Sequence, residues 1–221
     1  MYKVCIFDLD GTLADTIVSI AYCVNKALEQ LGLTPHNVDS YNYFAGDGIT
    51  PLLERSLLAS GDIELVHFQE LREVYIRIFA EHNMYEVTPY DGIVEMLGVL
   101  KEKNIKLAVL SNKPDAQAKN VVNTLFGEGC FDYIQGQKDT FPKKPDPAGA
   151  IRIAEILQVE KEECIYVGDT DTDMDTGNRA GMYTVGVTWG FRTREELEEH
   201  HADVIIEHPG ELIDIVISDY P

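Results

Sequence analysis

The sequence has few basic residues, and this shortage limits the partners that the protein can have. Lysine and arginine total 18 against 38 aspartate and glutamate residues, a formal net charge of -20. Binding to nucleic acid or to an anionic membrane depends on basic surface charge, so the composition argues against both partners. An anionic substrate would need cations and amide donors supplied by its own site.

Cysteine, tryptophan and long apolar segments are also scarce. The four cysteines show no C-x-x-C spacing, which predicts free thiols in a reducing compartment rather than disulfides or a zinc site. No run approaches 18 apolar residues, and no basic segment followed by an apolar one opens the chain. We therefore expect a cytoplasmic protein. The single tryptophan, Trp189, is expected to be a core or interface residue rather than a substrate contact.

The 221 residues are 45% hydrophobic, enough for one large domain or for one domain that carries an insert. Short apolar runs predict strands at 4–7, 106–110, 133–134, 164–167, 183–185 and 204–206. Helical patterns lie between them and include 92–103, 114–126 and 147–157. The alternation predicts an α/β fold whose parallel sheet is covered on both faces and binds ligands beyond the carboxyl ends of its strands.

Residues 16–84 interrupt this alternation. Helical patterns cover 16–31, 52–59 and 63–83, and no convincing strand lies between them. We interpret the segment as an all-helical insert after the first strand, and the alternative that its helices are ordinary layers of one domain stays open. The predicted division is 1–15 with 85–221 for the sheet domain and 16–84 for the helical domain.

The first predicted strand is followed by two aspartates, Asp8 and Asp10. Side chains at positions i and i+2 of an extended chain point the same way, so both carboxylates can converge beyond the strand. Gly11 then allows close approach of the backbone. Such a pair can hold a metal and attack phosphorus. Turn chemistry is the alternative, because aspartate favours turns and caps.

Polar residues also follow the next predicted strand of the sheet. Ser111 and Asn112 precede Pro114 and a predicted helix, so the Ser111 hydroxyl and nearby amides can bind an anion at the helix N-terminus. A plain helix cap is an equal alternative. Lys144 lies among prolines that fix its loop and can direct its ammonium inward, although exposed loop lysines are common.

The predicted strand 164–167 is followed by a further acidic segment that contains Asp169 and Asp173. Carboxylates are hard oxygen ligands of the kind that suit Mg²⁺. Asp169 is nearest the strand and is best placed to join Asp8. Asp173 can instead be an early-helix residue that the helix dipole favours.

Together, these elements resemble the four motifs of the haloacid dehalogenase-like superfamily. The matching segments are Asp-x-Asp-Gly-Thr at 8–12, Ser111, Lys-Pro-x-Pro at 144–147 and Gly-Asp-x-x-x-Asp at 168–173. The resemblance covers essentially the whole chain. It implies a Rossmann-like parallel-sheet core with a small all-helical cap inserted after the first strand.

The resemblance also implies a role for each residue. Asp8 would be the nucleophile that forms an aspartyl phosphate, and Asp10 would be the general acid and then the general base. The implied ligands of Mg²⁺ are Asp8, the main-chain carbonyl of Asp10, Asp169 and Asp173. The implied catalytic and substrate-binding residues that contact the phosphoryl group are Ser111, Lys144, Gly11, Thr12 and Asn112.

The predicted cap contains Gly46-Asp47-Gly48 before a helix, followed by leucine and arginine. This segment is similar to that of phosphoglycolate phosphatases in the same superfamily, where asparagine usually stands in place of Asp47. Gly46 and Gly48 would present amides to a small anion. The resemblance implies a Mg²⁺-dependent phosphatase that acts on a small phosphorylated metabolite as a monomer or homodimer.

Three other functions stay open. A pyrophosphatase and a beta-phosphoglucomutase-like phosphotransferase of the same superfamily would use the same nucleophile. The mutase typically carries a histidine soon after the first motif, and residues 16–25 contain none. The third alternative, a regulatory phosphate-binding module without turnover, is disfavoured because a competent residue occupies every catalytic position.

Overall fold

The computed structural model describes residues 2–217, which divide into two compact units. We call Asp15–Thr88 the helical unit and the other described residues the sheet unit. Residues 1 and 218–221, which the predicted sheet domain includes, lie outside the described part. The role of 16–84 as a functional cap stays a prediction.

The described helical unit contains four α-helices. They are α1 (Ile17–Gln30), α2 (Tyr41–Phe44), α3 (Ile49–Ala59) and α4 (Phe68–His82). α1 packs against α4, and each helix buries an apolar stripe at the spacing of an amphipathic helix. The stripe of α1 includes Ile20, Val24 and Leu28.

Two helices of this unit begin away from their predicted positions. α3 begins at Ile49 rather than at residue 52, and α4 begins at Phe68 rather than at residue 63. The later start of α4 has a local cause. The carboxylate of Asp62 accepts hydrogen bonds from the main-chain N–H groups of Val66 and His67, at 3.0 and 2.9 Å, and holds the segment as a turn.

Eight strands occur within residues 2–217. In chain order they are β1 (Val4–Phe7), β2 (Ala14–Asp15), β3 (Thr88–Pro89), β4 (Lys106–Pro114), β5 (Tyr133–Gln137), β6 (Cys164–Gly168), β7 (Tyr183–Val187) and β8 (Val204–Ile206). Six of them form a parallel sheet in the order β5-β4-β1-β6-β7-β8, and β2 pairs with β3. The predicted Rossmann-like α/β core is confirmed.

The α-helices of the sheet unit lie between these strands in the chain, except α10, which follows β8. They are α5 (Ile93–Glu102), α6 (Asp115–Phe126), α7 (Ala148–Leu157), α8 (Asp171–Ala180), α9 (Arg194–Glu199) and α10 (Gly210–Ile217). On one face of the sheet, α7 buries Ala150, Ile153, Ala154 and Leu157 against alternate residues of β1, β4 and β6. Each fully buried aliphatic side chain contributes about 1.5–3 kcal/mol, so this face anchors the strands that carry the polar residues.

The end of β4 differs from its prediction. The strand continues through Ser111 and Asn112 to Pro114, and its pairing with β5 is irregular between Leu110 and Pro114. Ser111 therefore lies in the strand rather than after it. α6 begins at Asp115 with Pro114 as its N-cap, so Ser111 does not cap this helix, and its predicted anion contact stays a prediction. A bulge of this kind redirects the side chains at the carboxyl end of the strand. Polarity and periodicity in the sequence do not reveal such a bulge.

The structure also bears on the scarce residue types. All four cysteines carry free thiols, as predicted; Cys5, Cys23 and Cys164 are buried and Cys130 is partly exposed. No helix within residues 2–217 combines the length and apolar character needed to cross a membrane.

Candidate active site

Three acidic side chains meet at the carboxyl edge of the central strands. Asp8 directly follows β1, and Asp169 directly follows the neighbouring strand β6. Asp173 lies in the first turn of α8. One carboxylate oxygen from each residue lies within 4.8 Å of the others, and all three residues are buried. The edge where Rossmann-like sheets bind ligands thus holds a buried acidic cluster.

The loop after β1 fits tightly against Asp169. The Thr12 hydroxyl donates to Asp169 Oδ1 at 2.6 Å. Gly11 has a φ of 91°, and a Cβ atom at this position would overlap the Asp169 carboxylate. Glycine is therefore required both by the backbone conformation and by the close approach. Thr12 contributes to this site by orienting Asp169, and its predicted substrate contact stays a prediction.

A second loop, after β7, closes around Asp169 from another direction. The main-chain N–H of Phe191 donates to Asp169 Oδ2 at 2.8 Å, and a Cβ on Gly190 would overlap Asp169. The indole N–H of Trp189 donates to the carbonyl oxygen of Thr12 at 3.0 Å. The residue types in the sequence do not predict that this loop belongs to the site, because a main-chain donor leaves no signature in residue type.

Lys144 is the cation of the acidic cluster. Its side chain is 2% exposed, and its Nζ donates to Asp173 Oδ1 at 2.7 Å. Asp8 Oδ1 forms an ion pair with the same Nζ at 2.8 Å, and this oxygen accepts no aligned hydrogen bond from residues 2–217. Within the described chain, the contact of this Asp8 oxygen with Lys144 is therefore an ion pair without an aligned hydrogen bond.

Asn112 fixes the main chain of Lys144 from the neighbouring strand β4. The Lys144 N–H donates to Asn112 Oδ1 at 2.9 Å, and Asn112 Nδ2 donates to the Lys144 carbonyl at 3.2 Å. Both ends of the amide thus hold the lysine loop in place. This contact gives Asn112 a structural role that the sequence did not predict, and its predicted substrate contact stays a prediction.

Asp173 belongs both to the cluster and to the start of α8. Its Oδ2 accepts hydrogen bonds from the Thr170 main-chain N–H at 3.1 Å and the Thr170 hydroxyl at 2.7 Å, in a capping box. The Tyr166 hydroxyl lies 3.5 Å from Asp173 Oδ1. The carboxylate of Asp173 therefore caps the start of α8 and also belongs to the acidic cluster.

The pKa values of the cluster are shifted because its carboxylates are buried close together beside a single ammonium. Burial and then the charge of Asp173 raise the pKa of Asp8 well above 3.8, although Lys144 lowers it. The same two causes raise the pKa of Asp169 from 3.8 to about 7. Burial lowers the pKa of Lys144, but the carboxylates of Asp173 and Asp8 raise it well above 10.5, so the lysine stays an ammonium ion.

These residues fit a divalent metal ion. When all three acids are ionised, they carry two more negative charges than the single buried ammonium balances, and a divalent cation would balance these charges. The donors are hard oxygens, which Mg²⁺ prefers, and Asp8 Oδ1 lacks an aligned hydrogen-bond donor within the described chain. The predicted metal roles of Asp8, Asp10, Asp169 and Asp173 stay predictions.

Asp10 is paired with a lysine that the sequence analysis did not select. Lys113 Nζ donates to Asp10 Oδ1 at 2.8 Å. The available signal was a lysine that continues an apolar strand, two residues after Ser111. Ser111 is itself buried, and its Oγ accepts a hydrogen bond from the Lys113 main-chain N–H at 3.2 Å.

Gly46 and Gly48 lie between α2 and α3, in the helical unit. Between them, Asp47 forms a 2.5 Å ion pair with Arg55. Arg55 also donates to the carbonyl oxygens of Tyr43 and Phe44, at 3.2 and 3.1 Å. The negative charge of Asp47 is therefore countered locally. The substrate-binding roles of both glycines stay predictions.

A parallel sheet with a buried cluster of carboxylates and a lysine at its carboxyl edge is the arrangement of an α/β protein that binds a ligand beyond the ends of its strands. The family model described as haloacid dehalogenase-like hydrolase matches residues 5–187, and the chain belongs to this family. The resemblance drawn from the four motifs is therefore confirmed.

Similar proteins span nearly the whole chain. A phosphoglycolate phosphatase of Aquifex aeolicus is 36% identical over 97% of this chain and 96% of its own length. A phosphoglycolate phosphatase of Photobacterium profundum is 32% identical over 95% and 93%. The crystal structure of a proposed phosphoglycolate phosphatase from Lactobacillus delbrueckii subsp. bulgaricus has a TM-score of 0.91 and 31% identity, with 99% of each chain covered.

Proposed function

We propose that the protein is a Mg²⁺-dependent phosphatase that hydrolyses a small phosphate monoester of the phosphoglycolate type through an aspartyl phosphate on Asp8. The observation that carries this proposal is the state of Asp8. It is buried, it lies 2.8 Å from the ammonium of Lys144, and its Oδ1 accepts no aligned hydrogen bond from residues 2–217. A carboxylate held this way is suited to nucleophilic attack.

In the first step, an oxygen of Asp8 attacks phosphorus and the bond from phosphorus to the ester oxygen breaks. Asp10 donates a proton to the departing oxygen, which leaves as an alcohol. Lys144 and Ser111 hold the oxygens of the phosphoryl group as charge spreads over them. Asp173 keeps Lys144 in place, and Asp169 keeps the loop of Thr12 in place.

In the second step, water attacks the phosphorus of the aspartyl phosphate. Asp10, now a carboxylate, accepts the proton of that water, and the bond from phosphorus to Asp8 breaks. Inorganic phosphate leaves, and both aspartates return to their starting states. Two steps with a positioned acid and base lower a barrier that is among the highest known, for which enzymes reach accelerations of about 10²¹.

Asp8, Asp169 and the main-chain carbonyl of Asp10 would hold Mg²⁺. When bound, the ion supplies Lewis-acid charge stabilisation and offsets repulsion between the nucleophile and the phosphoryl group. Both oxygens of Asp173 already accept hydrogen bonds, from Lys144 and Thr170, so we assign Asp173 to orienting Lys144 and to balancing charge.

The substrate class follows from the relatives and from the loop between α2 and α3. The similar proteins of Aquifex aeolicus and Photobacterium profundum are phosphoglycolate phosphatases. The loop keeps Gly46 and Gly48, and Arg55 neutralises Asp47. An acidic residue at position 47 is therefore compatible with a substrate that carries a carboxylate.

The experiment that tests the substrate class is phosphate release from phosphoglycolate, pyrophosphate, hexose phosphates and p-nitrophenyl phosphate, with Mg²⁺ and with chelator. We expect metal-dependent release with the highest kcat/KM for phosphoglycolate. If the protein prefers pyrophosphate, the pyrophosphatase alternative replaces this proposal. If it converts one hexose phosphate into another, the phosphoglucomutase-like alternative replaces it. Tight phosphate binding without any release would favour the regulatory module.

The nucleophile is tested by Asp8→Asn. The amide keeps the shape of the carboxylate but is not a nucleophile, so phosphate release should fall by at least about 10⁴-fold. Acid-quench labelling should find phosphate on the wild-type protein and none on the variant. Asp91→Asn, at an exposed aspartate in a turn before α5, is the matched control and should keep wild-type activity. Substantial release by Asp8→Asn would contradict the mechanism.

A further inference from the structure

Lys113 is a buried lysine whose ammonium reaches the loop after β1. Its side chain is 3% exposed, and its Nζ lies 2.8 Å from Asp10 Oδ1. The two residues are 103 positions apart in the chain, so the contact is made only by the fold. Lysine is almost never buried to this extent without a partner of opposite charge, and Asp10 supplies that charge.

The position of Lys113 follows from the irregular end of β4. Pairing with β5 shifts between Leu110 and Pro114, and such a bulge redirects side chains at the sheet edge. Ser111 and Lys113 are two residues apart on this strand, and the Lys113 N–H donates to Ser111 Oγ. One short segment therefore places a hydroxyl and an ammonium beside the loop that carries both aspartates.

The two buried lysines serve different carboxylates. Lys144 contacts Asp8 and Asp173, whereas Lys113 contacts Asp10. The carboxylate of Asp10 is 15% exposed, so it is the more accessible of the two aspartates to a leaving group and to water. A hydrogen bond at Oδ1 fixes the plane of this carboxylate, and the proton would then be exchanged at Oδ2.

We propose that Lys113 is a positioning residue that holds Asp10 in the orientation needed for proton transfer. This inference rests on the proposed function, in which Asp10 protonates the leaving oxygen and then accepts a proton from water. Lys113 neither gives nor takes a proton in either step. It keeps its ammonium paired with Oδ1 while the proton moves between Oδ2 and the leaving oxygen or water. A misplaced catalytic group costs about 10²-fold in rate, which sets the expected effect.

The test uses Lys113→Met with two substrates that differ in their need for an acid. For phosphoglycolate, whose alkoxide must be protonated, kcat should fall by about 10²-fold with KM nearly unchanged. For p-nitrophenyl phosphate, whose leaving group needs no proton, the initial burst of nitrophenolate should keep its rate. Steady-state turnover of this substrate should still fall, because the second step also needs Asp10.

Three further variants make the result specific. Lys113→Arg keeps a cation and should restore part of the activity, while Lys113→Met should have little further effect in an Asp10→Asn background. Lys119→Met removes an exposed lysine paired with Asp115 and should behave as wild type. Thermal melting checks that each variant is folded, and Lys113→Gln replaces Lys113→Met if the latter unfolds.

The outcomes separate this inference from the proposed function. If the wild-type protein releases no phosphate from any substrate, the proposed function fails. If it does, and Lys113→Met matches it on both substrates, Lys113 is only a structural ion pair. A rise in KM confined to substrates that carry a carboxylate would assign Lys113 to substrate binding and overturn the positioning role. The positioning role would also be overturned if the burst rate with p-nitrophenyl phosphate fell as much as kcat with phosphoglycolate.

Discussion

Asp169 is oriented by two hydrogen bonds that come from distant parts of the chain. Thr12 donates to one oxygen at 2.6 Å, and the main chain of Phe191 donates to the other at 2.8 Å. Groups that orient a metal ligand are nearly as important as the ligand itself. If Asp169 binds Mg²⁺ as proposed, the hydroxyl of Thr12 would control the affinity for the ion.

We expect Thr12→Val to weaken Mg²⁺ activation by about 10- to 100-fold, because the variant loses the hydrogen bond that fixes Asp169. At saturating Mg²⁺, turnover should recover most of its value. Mg²⁺ titration of phosphate release and calorimetric Mg²⁺ binding without substrate both measure the effect. Thr12→Ser retains the hydroxyl and should stay close to wild type. An unchanged Mg²⁺ dependence in Thr12→Val would show that the hydrogen bond from Thr12 is not needed to orient Asp169.

At single residues, the sequence predicted which side chains lie in the site better than it predicted the hydrogen-bond and ion-pair partners of those side chains. Asp8 and Asp169 were selected because carboxylates follow strands, and Lys144 because prolines fix its loop. The structure brings the three residues together. Lys113 and the N–H of Phe191 were missed. The burial of a lysine and the direction of a main-chain N–H depend on tertiary packing, which leaves no local pattern.

Among the elements, the turn before α4 depends on one side chain. The Asp62 carboxylate accepts hydrogen bonds from the N–H of Val66, the N–H of His67 and the His67 ring. The hydrogen bond from the His67 main chain is the largest cause that lowers the pKa of Asp62 below 3.8. This stabilisation is fully present above the unfolded pKa and is lost as the pH falls through the lower folded pKa.

Asp62→Asn should therefore lower the stability of the protein at pH 7, and the difference from wild type should shrink once the pH falls below 3.8. Urea denaturation at a series of pH values measures this. Glu64→Gln, at an exposed residue of the same turn, provides the matched control. A difference that stays constant down to the acid limit would show that the ionised carboxylate is not what matters.

Element boundaries followed the sequence wherever the pattern was local. β1 and β8 begin and end where they were predicted, because their apolar runs are contiguous. α2 was not predicted, since four residues carry too little periodicity. β4 was predicted too short, because strand pairing with β5 rather than composition extends it over polar residues.

For the whole molecule, the proposed metal site would couple ion binding to stability. Three buried carboxylates share one lysine, and the chain as a whole carries a net charge of -20. A cation that binds only the folded state raises the free energy of unfolding, by about 2.7 kcal/mol at about 100 times its Kd. The metal-free protein should be the less stable form.

We therefore expect Mg²⁺ to raise the melting temperature relative to chelator, in a manner that depends on Mg²⁺ concentration. Differential scanning calorimetry measures the shift. Asp169→Asn should lose most of it, and Asp91→Asn should keep it. Equal shifts in both variants would mean that the ion acts through general charge screening rather than through the cluster.

The hydrogen bond between Trp189 and Thr12 has an optical consequence. Trp189 is the single tryptophan of the chain, and its indole N–H contacts the carbonyl oxygen of a residue four positions after Asp8. Indole emission responds to hydrogen bonding and to nearby charge, and no second indole obscures it. The intrinsic fluorescence of the unlabelled protein should therefore change when a ligand binds beside the loop after β1, so that binding there can be timed by stopped-flow mixing.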